Sequence, residues 1–119
     1  MPVTITESDT LSDAAKLLLG QDVEVLVVFE PQGMTGVISE RDMVRAVADG
    51  RTSSRVKVSD YMSEAQVVSQ ETAMVGDALN KMRVSGVRHV VVVSGKDVTG
   101  VLSLRDLLGL IKFTNHFRD

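Results

Sequence analysis

The sequence predicts an α+β fold built from two tandem β-α-β-β-α units. Residues 10–48 laid on residues 74–112 without a gap give 11 identities in 39 positions, at a constant spacing of 64. Average residue usage would give roughly two or three identities. Each repeat also carries the same order of helical and β-branched segments. Because a unit of about 60 residues is marginal alone, we expect the repeats to pack with pseudo-twofold symmetry into one compact module.

An amphipathic helix of about ten residues is predicted near the start of each repeat. Its apolar residues recur at i, i+3, i+4 and i+7, the spacing of one helix face. They are Leu11, Ala14, Ala15 and Leu18 in the first repeat and Val75, Ala78, Leu79 and Met82 in the second. Thr10 and Asp13 predict a capping box at the first helix, and Gly20 is expected in the left-handed position that ends it.

Extended segments flank these helices. Short ones are expected ahead of them at 3–6 and 66–70. After the helices, β-branched runs at 23–29 and 87–93 each lead through a turn into another strand, which predicts two antiparallel hairpins. Since the runs are nearly continuous valine, we expect these strands to be covered on both faces.

A second helix is predicted after each hairpin. The first of these runs from about Arg41 to Asp49 and is ended by Gly50, and the other runs from about Arg105 to Lys112. This completes the β-α-β-β-α order in both repeats.

This order of elements divides the chain into three segments. Repeat 1 is assigned to residues 1–50, a polar linker to 51–57, and repeat 2 with its C-terminal tail to 58–119. The opening segment 58–62 of repeat 2 has no counterpart in repeat 1.

Composition narrows the classes of partner. The net charge is −3, from 13 Lys and Arg against 16 Asp and Glu, and no basic run is present. Nucleic acid is therefore not expected as a partner, because its affinity rests on clustered cations. The longest apolar runs, 25–29 and 90–93, are far shorter than the ~20 residues of a membrane helix. With no cysteine and no apolar leader, we expect a cytoplasmic protein that does not bind membranes.

The motif Gly-x-x-Ser-x-x-Asp stands at the last strand-to-helix junction of both repeats. A serine at a helix start lies beside unpaired backbone N–H groups that bind phosphate oxygens. A carboxylate three residues later can accept both hydroxyls of a ribose, glycine permits close approach, and the neighbouring arginine can reach phosphate. The candidate residues are Gly36, Ser39, Arg41 and Asp42 in the first repeat and Gly100, Ser103, Arg105 and Asp106 in the second.

The same residues also allow a purely structural interpretation. Ser-x-x-Asp at a helix start is a capping-box pattern, in which the serine and the acid satisfy the helix N-terminus. As a cap, Ser39→Ala should cost ~1 kcal/mol of stability. As a ribose contact, Asp42→Ala should cost ~1.5–3 kcal/mol of binding. The sequence leaves both roles open, and they are compatible.

The order of elements and the Gly-x-x-Ser-x-x-Asp junction resemble the CBS domain, and two tandem copies resemble a CBS pair, or Bateman module, as a small stand-alone protein. The segment Val58-x-Asp60-x-Met62 is similar to the start of many CBS repeats. The resemblance implies a regulatory module that is not an enzyme, requires no cofactor, and binds AMP, ADP, ATP or another adenosyl compound. It also implies a homodimer and a regulated protein partner, which the sequence does not identify.

The resemblance further implies two clefts, each formed by the Ser and Asp of one repeat and strand residues of the other. The cleft of Ser39 and Asp42 would then be lined by Val68, Val87, Arg88 and His89. The cleft of Ser103 and Asp106 would receive Glu24. Since Arg88 and a protonated His89 attract phosphate and Glu24 repels it, the first cleft is the predicted stronger site.

Two alternatives to nucleotide sensing are a ligand-free module and an enzyme. A ligand-free dimerisation module, or a fragment of a larger regulated protein, would use the apolar helix residues Met43, Val44, Val47, Leu107, Leu108 and Ile111. An enzyme is not expected, because no cysteine nucleophile, Ser-His-acid set or P-loop is recognisable. No metal site is expected either, because His89 and His116 have no companions at ligand spacing.

Overall fold

The computed structural model describes residues 2–51, 54–64 and 67–109, and the chain divides into two units, Pro2–Gln66 and Val67–Asp119. The amino-terminal unit contains β1 (Thr4–Ile5), α1 (Leu11–Gly20), β2 (Val25–Glu30), β3 (Gly33–Ser39), α2 (Glu40–Ala48) and a 3-10 turn (Val58–Asp60). The carboxy-terminal unit contains β4 (Val68–Gln70), α3 (Val75–Ser85), β5 (His89–Ser94), β6 (Asp97–Ser103) and helical residues 104–109, here α4. The predicted α+β class and the β-α-β-β-α order are confirmed.

Each unit has one three-stranded sheet with the same topology. The central strand, β2 or β5, pairs parallel with the short first strand and antiparallel with the third. Val25 faces Ser39 in one hairpin, and His89 faces Ser103 in the other, 64 residues later. A register shift follows Val28 and recurs after Val92. The duplication therefore extends to the individual backbone pairs of the two sheets.

The central strand of each sheet is deeply buried. Leu26, Val27 and Val28 are 0% exposed, as are Val90 and Val91. Successive strand residues point to opposite faces of a sheet. The prediction that both faces of these valine-rich strands are covered is therefore confirmed.

The core of the amino-terminal unit includes side chains from the segment after α2. Val58 is 0% exposed and Tyr61 6%, and both pack in one cluster with Ile5, Leu11 and Leu26. The backbone of this segment is bonded as well, since Leu11 N–H donates to the Val56 carbonyl at 2.9 Å. Residues 56–62 thus pack within the amino-terminal unit, although the sequence assigns them to the linker and to repeat 2. The repeat boundaries along the chain stay a prediction.

The core of the carboxy-terminal unit is smaller among the described residues. Ala78 and Met82 of α3 pack with Val90 of β5 and Leu107 of α4. Of the apolar face predicted for α3, Ala78, Leu79 and Met82 therefore pack in this core, whereas Val75 at its start is 44% exposed. Residues 110–112 of the predicted last helix and the tail 113–119 lie outside the described residues.

Most predicted helix ends are confirmed, with one error. Thr10 and Asp13 form a capping box at α1, and Gly50 has φ 74° just after the last turn of α2. Gly20, however, is the last helical residue of α1 and not the left-handed one, which is Asp22 with φ 51°. Aspartate is among the few residues other than glycine that tolerate this conformation, so α1 does not require glycine to end.

Candidate functional site

The Ser39–Asp42 junction is a capping box at the start of α2. Ser39 N–H and Ser39 Oγ–H both donate to Asp42 Oδ2, at 2.8 and 3.1 Å. In return, Asp42 N–H donates to Ser39 Oγ at 3.3 Å. The structural interpretation of this motif is therefore confirmed. One carboxylate oxygen of Asp42 is used by the helix terminus itself.

The other carboxylate oxygen of Asp42 is engaged by an arginine one turn along α2. Arg45 Nη2 lies 2.9 Å from Asp42 Oδ1 and also donates to the Tyr61 carbonyl at 3.1 Å. The Asp42 side chain is 14% exposed and that of Arg45 is 56% exposed. Both oxygens of Asp42 thus have donors before any ligand arrives.

Tyr61 anchors this arginine from the buried side. Its ring centroid is 5.7 Å from the guanidinium carbon of Arg45 and 5.8 Å from that of Arg51. Its hydroxyl donates to Asp49 Oδ2 at 2.7 Å, and this hydrogen bond is the main cause that raises the pKa of the Tyr61 phenol. Sequence reasoning missed this network. The acid–arginine spacing of three residues in α2 was the available signal.

The second junction repeats the cap without the arginine. Ser103 N–H donates to Asp106 Oδ2 at 3.4 Å, and Asp106 N–H donates to Ser103 Oγ at 3.1 Å. The position equivalent to Arg45 is Gly109, which has no side chain to offer. Asp106 is exposed, whereas Asp42 is half-buried. The two duplicated carboxylates are therefore chemically unequal.

The two glycines of the motif also differ. A Cβ on Gly36 would overlap the Ser63 carbonyl oxygen and lie 2.6 Å from Met62 Cε. The chain is held this close by two backbone hydrogen bonds between Val37 and Ser63, of 3.0 and 2.9 Å. Among the described residues, a Cβ on Gly100 would meet nothing within 4 Å. Gly36 is thus required by the protein's own chain, and contact of either glycine with ligand stays a prediction.

The strand residues predicted for the cleft of Ser39 and Asp42 all lie in the carboxy-terminal unit, whereas Glu24, predicted for the other cleft, lies in the amino-terminal unit. Val68 belongs to β4, Val87 and Arg88 precede β5, and His89 is its first residue, opposite Ser103. The Arg88 carbonyl accepts from Leu104 N–H at 2.7 Å, which ties it to the start of α4. Within one unit the structure therefore brings Arg88 and His89 next to Ser103. Their predicted grouping with Ser39 and Asp42 stays a prediction.

Arg41 and Arg105, predicted to reach phosphate, are exposed residues in the first turns of α2 and α4.

Across residues 2–51, 54–64 and 67–109, no helix is both long and apolar enough to cross a membrane. In the same part of the chain, no three His, Asp or Glu side chains are grouped in a way that could hold a metal ion.

The two units have hairpins with the same strand register. Each unit also has a serine–aspartate pair at its last strand-to-helix junction. These features define a tandem-repeat α+β module in which the junction site is duplicated. The family model described as CBS domain matches residues 1–49 and 58–112. The chain belongs to the CBS-domain family and carries a pair of these domains.

Relatives of this chain include CBS-domain proteins from plants and bacteria. It is 34% identical over 110 residues to the mitochondrial CBS domain-containing protein CBSX3 of Arabidopsis thaliana, which covers 87% of this chain and 53% of that protein. The chain thus spans about half the length of this relative. It is 31% identical over 105 residues to the uncharacterized protein YlbB of Bacillus subtilis, covering 86% of this chain and 70% of that protein.

Solved structures with the same fold include two at higher than 25% identity. A CBS-domain containing protein from Agrobacterium tumefaciens matches with TM-score 0.84 and 28% identity, covering 92% of this chain and 83% of that one. A CBS domain protein from Pyrobaculum aerophilum, complexed with AMP, matches with TM-score 0.78 and 33% identity, covering 88% of this chain and 82% of that one.

Proposed function

We propose that this chain is a regulatory module that binds an adenine nucleotide, AMP, ADP or ATP, or a related adenosyl compound, in clefts formed by its two CBS repeats. The observation that carries the proposal is the duplicated carboxylate, Asp42 and Asp106, held at a strand-to-helix junction by its own serine. A fixed carboxylate is a strong acceptor for the two hydroxyls of a ribose. The AMP complex of the 33% identical relative supports the same ligand class.

In this proposal the protein binds and does not catalyse. The ribose hydroxyls donate to the aspartate, and the phosphate lies near the exposed Arg41 or Arg105. The ligand shifts the module towards the arrangement of repeats, or of a homodimer, to which it binds more tightly. An unidentified regulated protein that distinguishes these arrangements receives the signal, because coupling requires different affinities in the two states.

The test is calorimetric titration and thermal shift with AMP, ADP, ATP and S-adenosylmethionine. Replacing both aspartates with asparagine keeps a side-chain oxygen for the serine N–H but removes the charge, and should weaken binding about ten- to a hundredfold. Asp77→Asn is the matched control, because Asp77 is also in the first turn of a helix but outside both junctions. Absence of binding for every adenosyl compound would contradict the proposal.

A second candidate is a dimerisation module that needs no ligand. Its supporting observations are that the capping box already uses Asp42 and that apolar side chains are exposed on the last helix of each unit. Val44 and Val47 are 65% and 63% exposed, and Leu108 is 47% exposed. Light scattering separates the candidates, because a scaffold keeps one molar mass with and without AMP and shows no binding heat.

A further inference from the structure

We infer that Arg45 selects between the two duplicated sites, because it competes with ligand for the carboxylate of Asp42. The inference rests on the proposed function and adds which site binds more tightly. At Asp42, Oδ2 accepts from Ser39 and Oδ1 accepts from Arg45 at 2.9 Å. A ribose that uses this carboxylate must displace the guanidinium.

Arg45 is held in place by more than its ion pair. The same Nη2 donates to the Tyr61 carbonyl at 3.1 Å, and the guanidinium lies 5.7 Å from the Tyr61 ring centroid. Tyr61 is itself buried and hydrogen-bonded to Asp49. Displacing Arg45 therefore breaks a charge-assisted hydrogen bond, a backbone contact and a cation–π contact, in exchange for neutral hydroxyl donors.

The carboxy-terminal junction provides the comparison within the same chain. Gly109 stands where Arg45 stands in the amino-terminal unit, and Asp106 keeps its cap to Ser103. The described hydrogen bonds of Asp106 join it only to Ser103. No cation of the described residues is bonded to this carboxylate, so a ribose that binds it displaces none of them. The order of affinity is thus Asp106 above Asp42, the reverse of the order expected from Arg88, His89 and Glu24.

The experiment uses adenosine, which carries the ribose diol but no phosphate, so that Arg45 gains nothing from an anionic ligand. The Asp106→Asn protein reports on the Asp42 site alone. Adding Arg45→Gln to it should tighten adenosine binding about two- to fivefold, the upper range of an exposed ion pair. Arg45→Lys keeps a cation beside Asp42 and should stay within about twofold of the parent. A merely structural arginine would not produce a gain in affinity.

The reciprocal variant transfers the arginine. In the Asp42→Asn protein, Gly109→Arg should weaken adenosine binding by a similar factor, with Gly109→Gln as the control for added bulk. Among the described residues, a Cβ at Gly109 meets nothing within 4 Å, which favours a side chain at this position. This arm also keeps the inference testable if Arg45→Gln does not fold, which circular dichroism reports.

The outcomes separate the two proposals. Titration of the wild-type protein with AMP decides the proposed function. The role of Arg45 is overturned if Arg45→Gln weakens adenosine binding or leaves it unchanged, or if Gly109→Arg leaves it unchanged. The proposed function is kept in that case, provided that the wild type binds AMP. Failure of AMP and adenosine to bind the wild type and every variant overturns both.

Discussion

Replacing Gly36 with alanine should destabilise the amino-terminal unit far more than the equivalent change at Gly100. A methyl group at Gly36 would overlap the backbone carbonyl of Ser63 and press on the Met62 methyl group. The backbone cannot yield cheaply here, because Val37 and Ser63 exchange two hydrogen bonds of 3.0 and 2.9 Å. The added methyl group must therefore move the segment that follows the 3-10 turn.

The magnitude follows from two contributions. Overpacking a filled site costs ~1–3 kcal/mol. If residues 62–63 move away, the hydrogen bonds of Val37 weaken, and each is worth ~0.5–1.5 kcal/mol. With both hydrogen bonds affected, we expect a total loss of ~2–6 kcal/mol. Gly100 occupies the same register position in its hairpin, opposite Val92 as Gly36 is opposite Val28. With open space at its Cβ, Gly100→Ala should change stability by less than about 1 kcal/mol, since alanine is favoured over glycine within strands.

Equilibrium urea unfolding followed by circular dichroism measures both variants against the wild type. The midpoint should fall clearly for Gly36→Ala and stay near the wild-type value for Gly100→Ala, at a similar slope. Equal midpoints for the two variants would refute the reasoning, because the close approach of Ser63 would then carry no energetic weight.

Three further changes test the caps and the tyrosine network. Thr10→Ala removes the capping box of α1 and should cost ~1 kcal/mol in urea unfolding, whereas an unchanged midpoint would argue against the cap. Hydrogen bonds from Thr10 lower the pKa of Asp13 below its usual 3.8, so this carboxylate stabilises the fold above about that pH and loses the effect as the pH falls through the lowered pKa. Asp13→Asn should therefore reduce the loss of stability at acid pH. A curve of stability against pH identical to that of the wild type would contradict this. The hydrogen bond to Asp49 raises the pKa of Tyr61 above 10.0, so the phenol stabilises the fold fully below that pH, and this stabilisation is lost as the pH rises through the raised pKa. Tyr61→Phe should lower the melting temperature at neutral pH. Its melting temperature should then fall less between neutral and alkaline pH than that of the wild type.

The fold was predictable because its signals are local and occur twice. Helix faces at i, i+3, i+4 and i+7, valine runs and turn residues specify backbone conformation within ten or so residues. The spacing of 64 then transferred each assignment from one repeat to the other, down to the register of Ser39 and Ser103. Where a signal was ambiguous the prediction failed, as at Gly20, because aspartate also adopts the left-handed conformation.

The site was predictable only in part. The structure confirms the cap predicted at Ser39 and Asp42, and ribose binding by this carboxylate stays a prediction. The motif could not reveal that Arg45 and Tyr61 complete the surroundings of Asp42, because Tyr61 is 19 residues further along the chain. Contacts between distant segments leave no periodic trace in a sequence.

The sequence by itself determined the duplicated β-α-β-β-α units, their caps and the two candidate carboxylates, because these depend on backbone preferences and on spacing along the chain. Only the tertiary structure decided which neighbours each copy of the junction contacts. It places Ser63 against Gly36 and Arg45 against Asp42 in one unit, and leaves Gly100 and Asp106 without these described neighbours in the other. The physical reason is that packing and ion pairing depend on distances in space, which two nearly identical motifs do not encode.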